Sequence, residues 1–142
     1  MENIYKHSVN PTQEYQCVIE GNNNCVWMYL HHLSDKSVIA DVPVCSLDEL
    51  MTLSRFNETS QRGDTSQLVN EFSTDKAVIK DITNEKISIK WGKDNQSVAV
   101  SIDNAPFSMI LKNEKYGYSK ATLKEGPWGN PWDSEKYLIN FG

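Results

Sequence analysis

The chain has 142 residues, which one domain of the usual ~50–200 residues accommodates. Its 39% hydrophobic and 23% charged content is enough for a packed core and excludes a fully disordered chain. With 14 Lys and Arg against 19 Asp and Glu the net charge is -5, which argues against nucleic acid or an anionic membrane as partner and suits a basic protein.

The first stretch, MENIYKHSVNPTQEY, lacks the apolar core of a signal peptide, and no window approaches the ~18 apolar residues of a membrane span. A cytoplasmic protein is expected, a single domain over 1–142 with residues 1–13 as a loosely ordered arm. Tyr15 to Glu20 and Cys25 to His31 flank Gly21-Asn22-Asn23-Asn24, residue types that enter left-handed conformations cheaply, so a β-hairpin is predicted. Its second strand is apolar on both faces, with Val26, Met28 and Leu30 on one and Cys25, Trp27 and Tyr29 on the other, as a covered central strand would be. Ser37 to Val42 continues the sheet, and Pro43 ends it or marks an edge. Cys17, Cys25 and Cys45 are an odd number on strand-like segments, which suits buried reduced thiols. A Cys17–Cys25 bridge across the hairpin is the alternative for an exported protein.

Ser46-Leu47-Asp48-Glu49 has the S-x-x-E form of a capping box and predicts a short helix to about Phe56. Residues 57–66, NETSQRGDTS, have the composition of a polar loop, and its Arg62-Gly63-Asp64 triplet is too common by chance to imply adhesion. A further helical turn or two is expected from Thr65 to Phe72, then a strand over Lys76 to Ile82. Residues 86–118 read as a meander. Ile87, Ile89 and Trp91 share one face, Val98, Val100 and Ile102 the next, and Phe107, Met109 and Leu111 the last. The tail alternates turn residues with Trp128, Trp132, Tyr137, Leu138, Ile139 and Phe141. Its aromatics would be costly in water, so it should fold back over the sheet. The fold class expected is α+β, an antiparallel sheet of hairpins and meander with one or two short helices inserted near the middle.

Catalytic and metal signatures are lacking. His31 and His32 are adjacent in a strand and point to opposite sides, so they cannot share an ion with Cys17, Cys25 or Cys45, and no cofactor is expected. Cys25 with His31 is the nearest approach to a nucleophile and base, without local context for it. Glu20, Asp41 and Asp103 border strands and read as water-facing acids rather than a paired acid and base. Seven glycines form no phosphate-binding loop.

Two binding readings follow. In the first, Trp128 and Trp132, near Tyr116 and Tyr118, supply an aromatic anchor, and Asp64, Glu71, Asp133 and Glu135 supply acidic contacts to a basic protein partner. In the second, Trp27, Tyr29 and Trp91 wall a sheet-lined pocket for a small ligand, or for an enzyme's substrate, with His31 or Asp103 as its polar group. An exposed edge strand leaves a homodimer open.

The runs EGNNNCVWMYL from Glu20, WGKDNQSVAVSIDNAP from Trp91, the Gly117-Tyr118 pair and the Trp-rich end resemble a family of small uncharacterised bacterial proteins. That resemblance implies a similar strand-turn-strand and terminal Trp and assigns no catalytic residue. In size, acidity and composition the chain is also similar to the immunity proteins that bacteria make against delivered toxins. The expectation is a non-enzymatic binding protein that neutralises a toxin by direct contact.

Overall fold

The computed structural model describes residues 3–22, 25–50, 52, 54 and 68–142. Strands β1 (Tyr5–Val9), β2 (Tyr15–Asn22), β3 (Cys25–His32) and β4 (Val38–Ser46) form an antiparallel meander in chain order. A second sheet runs β5 (Ile87–Trp91), β6 (Val98–Ile102), β7 (Ala105–Ile110), β8 (Tyr118–Ser119) and β9 (Asn130–Pro131), with β8 and β9 parallel. The helix α1 (Ser134–Phe141) follows. The expectation of a largely antiparallel, strand-dominated fold holds; the α-helix described along its length is at the C-terminal end, and the helix expected from Leu47 onward is not formed over residues 47–50, although Ser54 is helical.

Backbone pairing explains the difference. Ser46, expected to cap a helix, is the last residue of β4: its N–H donates to the Ala77 carbonyl at 2.6 Å and its carbonyl accepts from Ile79 N at 2.9 Å. Those groups are spent on a parallel bridge to Val78, and residues 47–50 are irregular. Met51, Leu53 and Phe56 of the expected helix, and the polar loop 57–66, lie outside the described residues. Of the turn expected up to Phe72, a 3-10 turn over Asn70–Phe72 is seen. The strand expected over Lys76 to Ile82 reduces to the single bridge at Val78, because Lys80 and Asp81 turn the chain into a second 3-10 turn, Asn84–Lys86.

The hairpin around the Gly/Asn run forms as expected, with β3 interior to its sheet and almost wholly buried. The sheet edge at Pro43 was also legible, although β4 continues past it. Within the segment read as an arm, Tyr5–Val9 is strand β1, paired along its length with β2.

Inner faces of the two sheets meet in the main core, which joins Ile19, Met28, Leu30 and Val42 to Ile87, Val98, Val100 and Ile110. A bulge corrects one sequence expectation: Val100 pairs with Ser108 and Ser101 with Pro106, leaving Phe107 as the extra residue. Phe107 therefore joins Ile110 in the main core, whereas Met109 and Leu111 face the other way. There they meet Ala99, Tyr118 and Phe141 under α1, so the tail does fold back over the sheet, as a helix. Asp133 starts that helix by accepting from Lys136 N at 3.1 Å, and Tyr137 stacks on Phe141 one turn later at 5.0 Å.

The β6–β7 turn is Asp103-Asn104, both at positive φ (52° and 67°), the two-residue geometry that matches strand twist. Cys17, Cys25 and Cys45 are buried, and burial pushes the Cys17 and Cys45 thiols up to about 12. Among the described residues no helix is long and apolar enough to cross a membrane.

Candidate functional site

Register decides which side chains occupy the side of the first sheet turned away from the second. Met28 and Leu30 of β3 point between the two sheets, so Trp27, Tyr29 and His31 alternate to the other side, where Trp27 is covered and counts with the core while Tyr29 and His31 are half-buried. Cross-strand partners share a face. Glu20, Val18 and Gln16 on β2 therefore join them, followed by Tyr5, His7 and Val9 on β1. On the other side Asp41 pairs with Tyr29 and Val38 with His31, and the Asp41–Tyr116 bridge carries the face past β4. Burial along β1 follows the same alternation, with Tyr5, His7 and Val9 exposed and Lys6 and Ser8 half-buried.

Large side chains are open to solvent here: Tyr5 is 52%, Val38 56% and Tyr116 50% exposed. Tyr5, Val38 and Tyr116 are not scattered over the surface but lie along one face of the sheet. The patch is ordered by its own contacts. Tyr5 and His7 rings are 5.7 Å apart, and His31 stands edge-on to Tyr29 at 6.1 Å. Burial, then the charges of Glu20 and Asp41, raises the Tyr29 phenol above its usual pKa, which puts both carboxylates within electrostatic reach of that ring. Partial loss of hydration raises Asp41 itself. Cations lie at the rim. Lys36 Nζ donates to Gln16 Oε1 at 3.1 Å, and Lys115 Nζ sits 5.5 Å from the Tyr116 ring centre.

The expected site residues fall into three places. Tyr29 and His31 come together half-buried on this face, with Trp27 beside them but buried, whereas Trp91 belongs to the other sheet, its indole Nε1 donating to Ser8 Oγ at 2.9 Å. Asp103 is an exposed turn residue, so the five do not converge on one cavity. Trp132, Asp133 and Glu135 gather at the first turn of α1. Trp128 is 5% exposed and packs against Phe72 at 5.0 Å in the main core, and Tyr118 is likewise buried, so these two rings present no platform. Glu71 is exposed in the Asn70–Phe72 turn, and Asp64 lies outside the described residues. Among the described residues no group of His, Cys, Asp and Glu could hold a metal ion.

Sequence reasoning missed Tyr5, His7, Val9 and Val38. Tyr-Lys-His-Ser-Val carries no apolar stripe, because its outward side chains are the larger ones and its inward ones are Lys6 and Ser8. The available signal was the bare alternation of ring and aliphatic residues at positions 5, 7 and 9.

In comparisons with protein-family models, curated proteins and solved structures, nothing matches this chain.

Proposed function

We propose that the protein is a non-enzymatic binding protein that docks a basic protein against the outer face of its four-stranded sheet, as an immunity protein covers a toxin. One observation carries the reading: exposed Tyr5, Val38 and Tyr116 surround a centre in which Glu20 and Asp41 flank Tyr29. Aromatic side chains give contact area at low entropic cost, and the carboxylates favour a cationic partner group over the rings. The net charge of -5 speeds the encounter with a basic partner.

The test uses tagged full-length protein, wild type and a Tyr5→Ser/Asp41→Lys/Tyr116→Ser variant. All three side chains are exposed, so the variant should fold. Each is used to recover partners from the native host, with the mass of the free protein measured by light scattering. A basic partner held by wild type and Leu138→Ser/Ile139→Ser but lost by the face variant supports the reading. A partner retained by the face variant defeats it. So does a homodimer that the face variant dissolves, since the face would then be a self-interface.

A further inference from the structure

A groove of about 500 Å³ opens between the 74–76 turn, the 120–123 segment and the start of α1. That volume falls within the range of small-molecule sites. One hydroxyl holds the backbones of its two lysines together. Thr74 Oγ1 donates to the Lys120 carbonyl at 2.5 Å and accepts from Lys76 N at 3.2 Å, which ties together backbones 44 positions apart. Lys120 Nζ stands 5.4 Å from the Trp132 ring centre. Burial, and after it the charge of Lys76, lowers the Lys120 pKa, so the two ammonium groups repel across the groove. No described carboxylate forms an ion pair with either, although Asp75 lines the same groove. Trp132, with Leu123 and Pro131, gives it an apolar wall, and the Trp132 Nε1 donates to Ser134 Oγ at 3.2 Å.

Two under-neutralised lysines beside an aromatic wall are the complement of a ring that carries a negative group. We propose that this groove binds a small organic anion, its carboxylate or phosphate received by Lys76 and Lys120 and its ring lying against Trp132. This site is separate from the protein-docking face and stands or falls independently of it.

The test is a titration of ¹⁵N-labelled full-length protein with benzoate and with phenyl phosphate, followed by backbone and indole N–H resonances. The two probes separate carboxylate from phosphate recognition. Benzyl alcohol isolates the ring, and inorganic phosphate isolates the charge. Saturable shifts at the Trp132 indole and the Lys120 amide are expected with at least one aromatic anion. Lys120→Gln and Lys76→Gln should each weaken binding about tenfold, since each removes a charge-assisted hydrogen bond. Lys6→Gln, on β1, should leave it unchanged. Spectral dispersion shows directly that each variant is folded. Shifts that never saturate, or affinity unaltered in both lysine variants, overturn the proposal. Equal affinity for benzyl alcohol overturns the role of the charge, and equal affinity for inorganic phosphate overturns the role of the ring.

Discussion

Gly117 is the position at which adding one methyl group should do most damage. A Cβ there would lie 2.5 Å from Val42 Cβ and 2.8 Å from the Met109 carbonyl oxygen, well inside van der Waals contact. Neither obstacle is the movable end of a long side chain. Val42 is a buried β-branched residue of β4, and the carbonyl belongs to β7, so relief requires one sheet to move against the other. Overpacking of this kind costs about 1–3 kcal/mol, and a rigid backbone obstacle argues for the upper half. The loss of unfolded-state freedom on Gly→Ala returns about 0.4–1 kcal/mol. The expected net loss for Gly117→Ala is therefore about 2 kcal/mol, or roughly 4–8 °C in Tm for a domain of this size. Urea unfolding followed by Trp fluorescence reads it as a lower midpoint with unchanged slope. Gly21→Ala is the control, because its Cβ would meet Ile4 Cβ at 3.4 Å, an ordinary contact, and should change stability by less than about 0.5 kcal/mol. A Gly117→Ala protein as stable as wild type would refute the close seating of β4 against β7 and β8.

On α1, Phe141→Ala should cost about 3–4 kcal/mol by thermal or urea unfolding, because the ring is buried under the helix. Leu138→Ala and Ile139→Ala, 64% and 70% exposed, should stay within about 0.5 kcal/mol, and the reverse pattern would mean that α1 packs by its other face. Asp41 tests pH linkage. Its folded pKa is raised by partial loss of hydration, so the folded state holds the proton more tightly and stability falls as pH rises from the ordinary carboxylate value through the raised one. Asp41→Asn removes that fall, so urea midpoints should show it slightly more stable than wild type at pH 7 and no more stable at pH 3; a less stable variant at pH 7 contradicts the assignment. Finally, Cys17, Cys25 and Cys45 should be unreactive to a thiol-directed disulfide reagent at pH 8 in the folded state and fully reactive in denaturant, with rapid native reaction as the contrary result.

Elements set by local chemistry were legible from the residues alone. The Gly21 to Asn24 run and the apolar β3 specify the first hairpin, and the Ile87 to Ile110 alternation specifies the meander. What escaped was decided at long range. Ser46 has the local signature of a helix cap, yet its backbone is claimed by residues 77 and 79. Phe107 obeys simple alternation in sequence, and only the pairing across to β6 makes it the bulged residue. The tail shows the same limit: Asp133 followed by Lys136, Tyr137 and Phe141 is a capped amphipathic turn, but its turn-forming neighbours Gly129, Asn130 and Pro131 mask the signal. The candidate face was half visible, because Trp27, Tyr29 and His31 alternate along one strand. Their neighbours Tyr5, Asp41 and Tyr116 join them only through the sheet.

Hydrogen exchange of the protein, free and mixed with any basic protein that the wild type recovers from its host, tests the proposed docking face most directly. Slowed exchange centred on β1 and on the segment around Tyr116, with α1 unchanged, is the predicted result. Protection over α1 with the outer face of the first sheet exchanging as in the free protein would contradict it.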